Sequence, residues 1–160
     1  MTPPTAQPPQ QKPPYTILIV EDHALVAKFY RMALERAGGF ECLVTEDVKE
    51  ILEAAETGKA DLAILDISLR GSQWEGRPVD GLELAQLLRQ RALRPIPIVL
   101  ATAHAMVGDR ERLLEASGAD AYLEKPIYDA EELVAVVRKL LAGREEARPQ
   151  SSVPSTDNAA

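Results

Sequence analysis

The chain has 160 residues, 46% of them hydrophobic and 27% charged, the balance of one globular domain with tails rather than of a fibrous or disordered protein. Twenty-five acidic against eighteen basic residues leave a net charge of −7, which argues against direct nucleic-acid binding, because phosphate backbones are held by Lys and Arg. One cysteine, Cys42, makes neither an internal disulfide nor a zinc site by itself, and there is no apolar leader and no membrane-length apolar run, so a soluble, cytoplasmic protein without membrane contact is expected.

Residues 1–14 hold six prolines and no apolar periodicity, and read as a disordered Pro-rich tail. Thr16 to Val20 is a continuous β-branched run suited to a strand buried on both faces. Val26, Phe29, Tyr30, Ala33, Leu34 and Ala37 then form one helical stripe that Gly38-Gly39 stops. Glu41 to Thr45 predicts a second strand, with Cys42 as a core thiol, and Val48 to Ala55 a short helix ending near Gly58. Asp61 to Leu65 predicts a third strand, followed by an irregular stretch and a helix carrying Leu84, Leu87 and Leu88. Pro95 and Pro97 bracket the start of a fourth strand reaching about Ala101, and a helix over roughly 109–117 follows. Ala119 to Glu124 predicts a fifth strand, stopped by Pro126. The last helix starts at Asp129, which with Glu132 makes a capping-box-like pattern, and its stripe runs from Leu133 to Leu141. From Gly143 the chain is again polar, so the folded domain is expected over 15–142 and a disordered tail over 143–160.

Five β-α units imply a doubly wound α/β fold, because parallel strands need crossover helices, and ligands bind such sheets at the carboxyl ends of the strands. There the first strand runs into Glu21-Asp22, the third into Asp66, the fourth into Thr102 and the fifth into Lys125-Pro126. Each alone is an ordinary solvated turn residue; together they describe a site. Carboxylates gathered in one pocket repel by about 4 kcal/mol per pair at roughly 4 Å with an effective dielectric near 20. Lys125 supplies one balancing charge and a hard divalent cation, Mg²⁺, the rest. An Asp beside a metal and a Lys suits attack on a phosphoryl group, with the Thr102 hydroxyl donating to a phosphoryl oxygen.

The pattern ILIVED…LAILD…VLATA…YLEKP resembles the receiver domain of two-component response regulators, the flavodoxin-like or CheY-like fold. The resemblance implies a five-stranded parallel sheet in the order 2-1-3-4-5. It implies Asp66 as phospho-acceptor, and Glu21, Asp22, Asp66 and the Ser68 backbone carbonyl as Mg²⁺ ligands. Thr102 would be the switch hydroxyl, Lys125 the phosphate-pairing amine and Tyr122 the aromatic switch residue, swinging inward on phosphorylation. The stretch from Thr102 to Ile127 further resembles the stand-alone DivK type and the receivers of hybrid kinases. Partners implied are a histidine kinase or histidine phosphotransfer protein, and a downstream protein docking on the face of the fourth helix, fifth strand and fifth helix; a homodimer is compatible with it. From Leu141 only 19 residues remain, which leads to the expectation of a single-domain regulator, a signalling switch rather than an enzyme.

Two departures stand out. The acceptor is followed by Asp80-Gly81 only fourteen positions on, about twice the spacing usual in receivers, with Arg70 where proline is common and the only tryptophan, Trp74, in between. Arg70 and Trp74 are candidate lid residues; the competing reading is a surface insertion. Glu124 adds a negative charge next to Lys125 but should face the other way by strand alternation. His23 is favoured as a rim or helix-start residue, and His104 as a surface residue that could shade the phosphoryl site. Other functions fit less well. An aspartyl-nucleophile phosphatase of the haloacid-dehalogenase kind carries a second Asp where Ser68 stands, and a nucleotide site after the first strand needs glycines where Glu-Asp-His stands. A pseudo-receiver scaffold acting without phosphorylation is the remaining alternative.

Overall fold

Each residue of the first strand, β1 (Thr16–Val20), faces a different layer from its neighbour. Ile17 and Ile19 pack into one apolar cluster, Leu18 and Val20 into another, and all four are fully buried. This is the two-sided burial that a continuous β-branched run predicts. In the computed structural model, which describes residues 14–103 and 109–147, the chain continues through α1 (Ala24–Arg36), β2 (Glu41–Val44), α2 (Val48–Glu56) and β3 (Leu62–Asp66). A small hairpin, β4 (Gln73–Trp74) and β5 (Arg77–Pro78), precedes α3 (Gly81–Arg91) and β6 (Ile98–Thr102). The chain ends with α4 (Asp109–Ser117), β7 (Ala121–Glu124) and α5 (Ala130–Ala147).

The main sheet is parallel throughout, in the order β2-β1-β3-β6-β7, which is the expected 2-1-3-4-5 order of its five strands. One apolar cluster joins the sheet to α2, α3 and α4, the other to α1 and α5. Helix ends follow local chemistry. Asp47 and Asp80 cap α2 and α3 through the N–H groups of Lys49 and Glu83, both at 2.9 Å. Asp129 caps α5 as expected, accepting from the Glu131 N–H at 2.9 Å. Gly39, at φ +68°, turns the chain after α1, where the Phe40 N–H reaches back to the Leu34 carbonyl.

Three differences from the sequence reading matter. The stretch after β3 is not wholly irregular, since β4 and β5 form a two-residue hairpin. Its turn, Glu75-Gly76, has φ of 52° and 78°, the double left-handed geometry that suits the twist of paired strands. The fifth strand of the main sheet begins at Ala121 because Ala119 is held in a turn by the Ser117 hydroxyl. Helix α5 runs to Ala147, five residues beyond the expected domain edge at 142. The polarity of that segment hid an anchor: Arg144 donates to the Asp61 carbonyl at 2.7 Å and to its carboxylate at 3.4 Å. The two tails, apart from Pro14 and residues 143–147, and His104 lie outside the described residues.

Candidate functional site

The parallel register sets the site. Asp66 pairs with Ala101, and Thr102 with Glu124, so the ends of β3, β6 and β7 stand side by side. The Ile67 N–H donates to Ala101, and the Lys125 N–H to Thr102 at 2.8 Å, fixing both departing chains. Glu21 and Asp22 leave β1 next to them. Carboxylate oxygens of Glu21, Asp22 and Asp66 all lie within 4.8 Å of one another. Glu21 and Asp66 are buried, with 4% and 5% exposure, and Asp22 is half-buried.

One cation sits among them. Lys125 Nζ is 2.5 Å from Glu21 Oε2 and 3.2 Å from Asp66 Oδ2, so a single ammonium spans two acids. Backbone donors hold the rest: the Ser68 N–H on Asp66 Oδ1 at 3.1 Å, the Arg70 N–H on Asp22 Oδ2 at 3.3 Å, and the His23 N–H on Glu21 Oε1 at 3.3 Å. Burial is the main influence on Glu21 and pushes its carboxyl above the ordinary range; Lys125 opposes this and the Asp66 charge adds to it. Three carboxylates against one ammonium leave the cluster short of positive charge. An all-oxygen donor set of this kind fits a hard divalent cation such as Mg²⁺, which takes one or two carboxylates and fills its remaining positions with water and phosphate oxygens.

The remaining candidates separate clearly. Thr102 closes β6 and is buried at the cluster's edge. Ser68 touches the cluster through its N–H. Arg70 reaches it by its backbone. Tyr122 is 8% exposed and packed in the apolar cluster shared with α2 and α3. Trp74, the other lid candidate, is half-buried in the hairpin. Its ring packs on α3, with the Arg91 guanidinium 5.3 Å from its centroid, and Arg91 lies ten residues, about 15 Å of helix, beyond Gly81. Glu124 is exposed, on the side of the strand away from Lys125 as alternation requires. His23 is exposed at the start of α1.

Gly81 carries a role that its sequence context only hinted at. A Cβ there would stand 2.2 Å from the Asp66 carbonyl oxygen, so only glycine lets α3 start against the end of β3. Its N–H donates to the Ile67 carbonyl at 3.0 Å, closing the long loop at its base. The loop is tied further by the Ser72 hydroxyl on the Glu46 carbonyl at 2.9 Å, a contact across 26 residues that nothing in the local sequence announces.

The fold and this cluster define a doubly wound α/β domain with an acidic site at the carboxyl ends of its strands, and residues 17–138 match the response regulator receiver domain family. The chain belongs to that family. It is 38% identical over 115 residues to the polar-differentiation response regulator DivK of Brucella anthropi, covering 71% of this chain and 86% of that one. The DivK of Brucella ovis is 38% identical over 113 residues, covering 70% and 85%. Among solved structures, a CheY-like receiver domain protein from Methanospirillum hungatei superposes with a TM-score of 0.68 at 26% identity, covering 84% of this chain and 98% of that one. A putative response regulator from Chloroflexus aurantiacus does so at 0.66 and 32%, covering 81% and 99%. No helix of the described residues is long and apolar enough to cross a membrane.

Proposed function

We propose that this receiver accepts a phosphoryl group from a phosphohistidine onto Asp66 and uses it to switch a protein-interaction face. The observation that carries the reading is the Lys125 ammonium reaching Glu21 and Asp66 at once, beside Asp22, at the ends of three different strands. An Asp66 carboxylate oxygen attacks phosphorus, the P–N bond breaks, and the donor imidazole leaves with the electron pair and takes up a proton. Glu21, Asp22, Asp66 and the Ser68 carbonyl would hold Mg²⁺, which when bound neutralises charge on the transferring group. Lys125 pairs with the phosphoryl oxygens, and the backbone donor at Ser68 orients the acceptor.

The acyl phosphate adds up to about two negative charges and three acceptor oxygens. The Thr102 hydroxyl donates to one of them, favouring the arrangement in which Tyr122 stays inward and the surface of α4, β7 and α5 is fixed. Partners are a histidine kinase or phosphotransfer protein upstream and a protein target on that face, in the cytoplasm; the switch supports only its own phosphoryl transfer and loss. Incubation with Mg²⁺ and acetyl phosphate should add one base-labile phosphoryl group by mass spectrometry, and Asp66→Asn should abolish it. Labelling of Asp66→Asn at the wild-type level would overturn the assignment.

A further inference from the structure

At the opposite edge of the sheet from Asp66 lies a second concave site of about 660 Å³. Its wall is Pro95-Ile96-Pro97, just before β6, facing Leu140 and Gly143 of α5. Four cations border it, Arg89, Arg94, Lys139 and Arg144, against one acid, Asp120, whose Oδ2 already accepts the Ile98 N–H at 2.9 Å. Arg94 and Arg144 share a single carboxylate, Asp61, at 3.3 and 3.4 Å, so that trio keeps a surplus positive charge. Asp61 is also occupied from the other side, where its Oδ2 accepts the Thr16 N–H. Arg94 is 42% exposed as a side chain, but its Nε atom is buried with no hydrogen-bond partner among the described residues. Arg89 and Lys139 are exposed and make no ion pair among the described residues. In a chain of net charge −7, this concentration of positive charge around an apolar wall is a local exception.

The geometry points to a binding site for a nucleotide-like organic phosphate, an apolar ring system carrying one or two phosphates. The volume falls within the range of small-molecule sites, about 300–1,000 Å³. Proline and isoleucine present a flat apolar surface to a ring, while guanidinium forks match phosphate oxygens in pairs. The site uses none of the residues of the acidic cluster, so binding does not depend on Asp66.

Titration calorimetry and amide NMR of the full chain in EDTA, with adenosine diphosphate, adenosine and inorganic phosphate as probes, test this. The diphosphate should bind and shift the amides of Ile96, Leu140 and Gly143, with adenosine and phosphate each roughly tenfold weaker or more. Arg89→Glu combined with Lys139→Glu should weaken diphosphate binding at least roughly tenfold while the melting temperature and acetyl-phosphate labelling stay unchanged. Asp66→Asn should bind as wild type. The proposal falls if no probe binds, if the shifts centre on Asp22 and Asp66, if the double variant binds as tightly, or if inorganic phosphate alone matches the diphosphate.

Discussion

At the scale of single residues, the site is decided by how few cations serve how many acids. Lys125 divides itself between Glu21 and Asp66. Replacing it with alanine removes the only ammonium found there among the described residues, so the acidic cluster should bind Mg²⁺ more tightly while phosphoryl transfer from acetyl phosphate slows. Tryptophan-independent calorimetry and rate measurements on Lys125→Ala check both; weaker Mg²⁺ binding would contradict the charge accounting. Cys42 behaves in the opposite spirit. Burial pushes its thiol up to about 12, with the nearby Glu35 charge adding to this, so at pH 8 it holds roughly a thousandfold less thiolate than an ordinary thiol. Alkylation by iodoacetamide at pH 8 should be correspondingly slow in the native protein and become fast in urea. Asp66, Thr102 and Lys125 were readable in the sequence because each follows an apolar run. Gly81 and Ser72 were not, since their partners, the Asp66 and Glu46 carbonyls, are distant in the chain and fixed only by the fold.

At the scale of elements, the strands and helices follow their periodicities closely, and the difficulty lies in the segment between β3 and α3. A hairpin of two-residue strands has no alternation to read, and its Glu-Gly turn lacks the Asn or Asp that marks such turns most strongly. Trp74 is conspicuous in the sequence as an aromatic near a site, and its contact with α3, which fastens the hairpin through Arg91 and the adjoining apolar surface, is set by the fold rather than by local sequence. Trp74→Ala should therefore destabilise the domain by about 1–3 kcal/mol in urea unfolding, through lost apolar burial and the cation–π contact, while Asp66 still labels. Gly81→Ala forces a Cβ onto the Asp66 carbonyl. It should cost about 1–3 kcal/mol and also slow labelling, because relief of the clash moves the end of β3 or the start of α3. Labelling at the wild-type rate would show that α3 alone yields.

For the whole molecule, the two faces of the sheet are closed by different devices. The face of α2, α3 and α4 is sealed mainly by apolar packing, whereas α5 on the other face is also fixed at its far end by Arg144 on Asp61 and along its length by Arg138 on the Ala37 carbonyl at 3.2 Å. Composition alone placed the domain edge at 142, because a Gly-Arg-Glu-Glu run looks like a solvated tail; a long-range bond to a residue 83 positions earlier reverses that reading. A chain ended at residue 142 should lose about 1–3 kcal/mol of stability relative to the full chain, the worth of a charge-assisted hydrogen bond, with Arg144→Ala reproducing most of the loss. Equal urea midpoints would show the last turns of α5 to be energetically idle.

The pinch between Ile67 and Gly81 has a wider consequence. The insert leaves and rejoins the scaffold there and is tied along its way by Arg70 on Asp22 and Ser72 on Glu46, whereas its tip at Glu75-Gly76 is exposed, so foreign peptides, epitopes or reporter tags grafted at the tip should leave the acidic cluster in place.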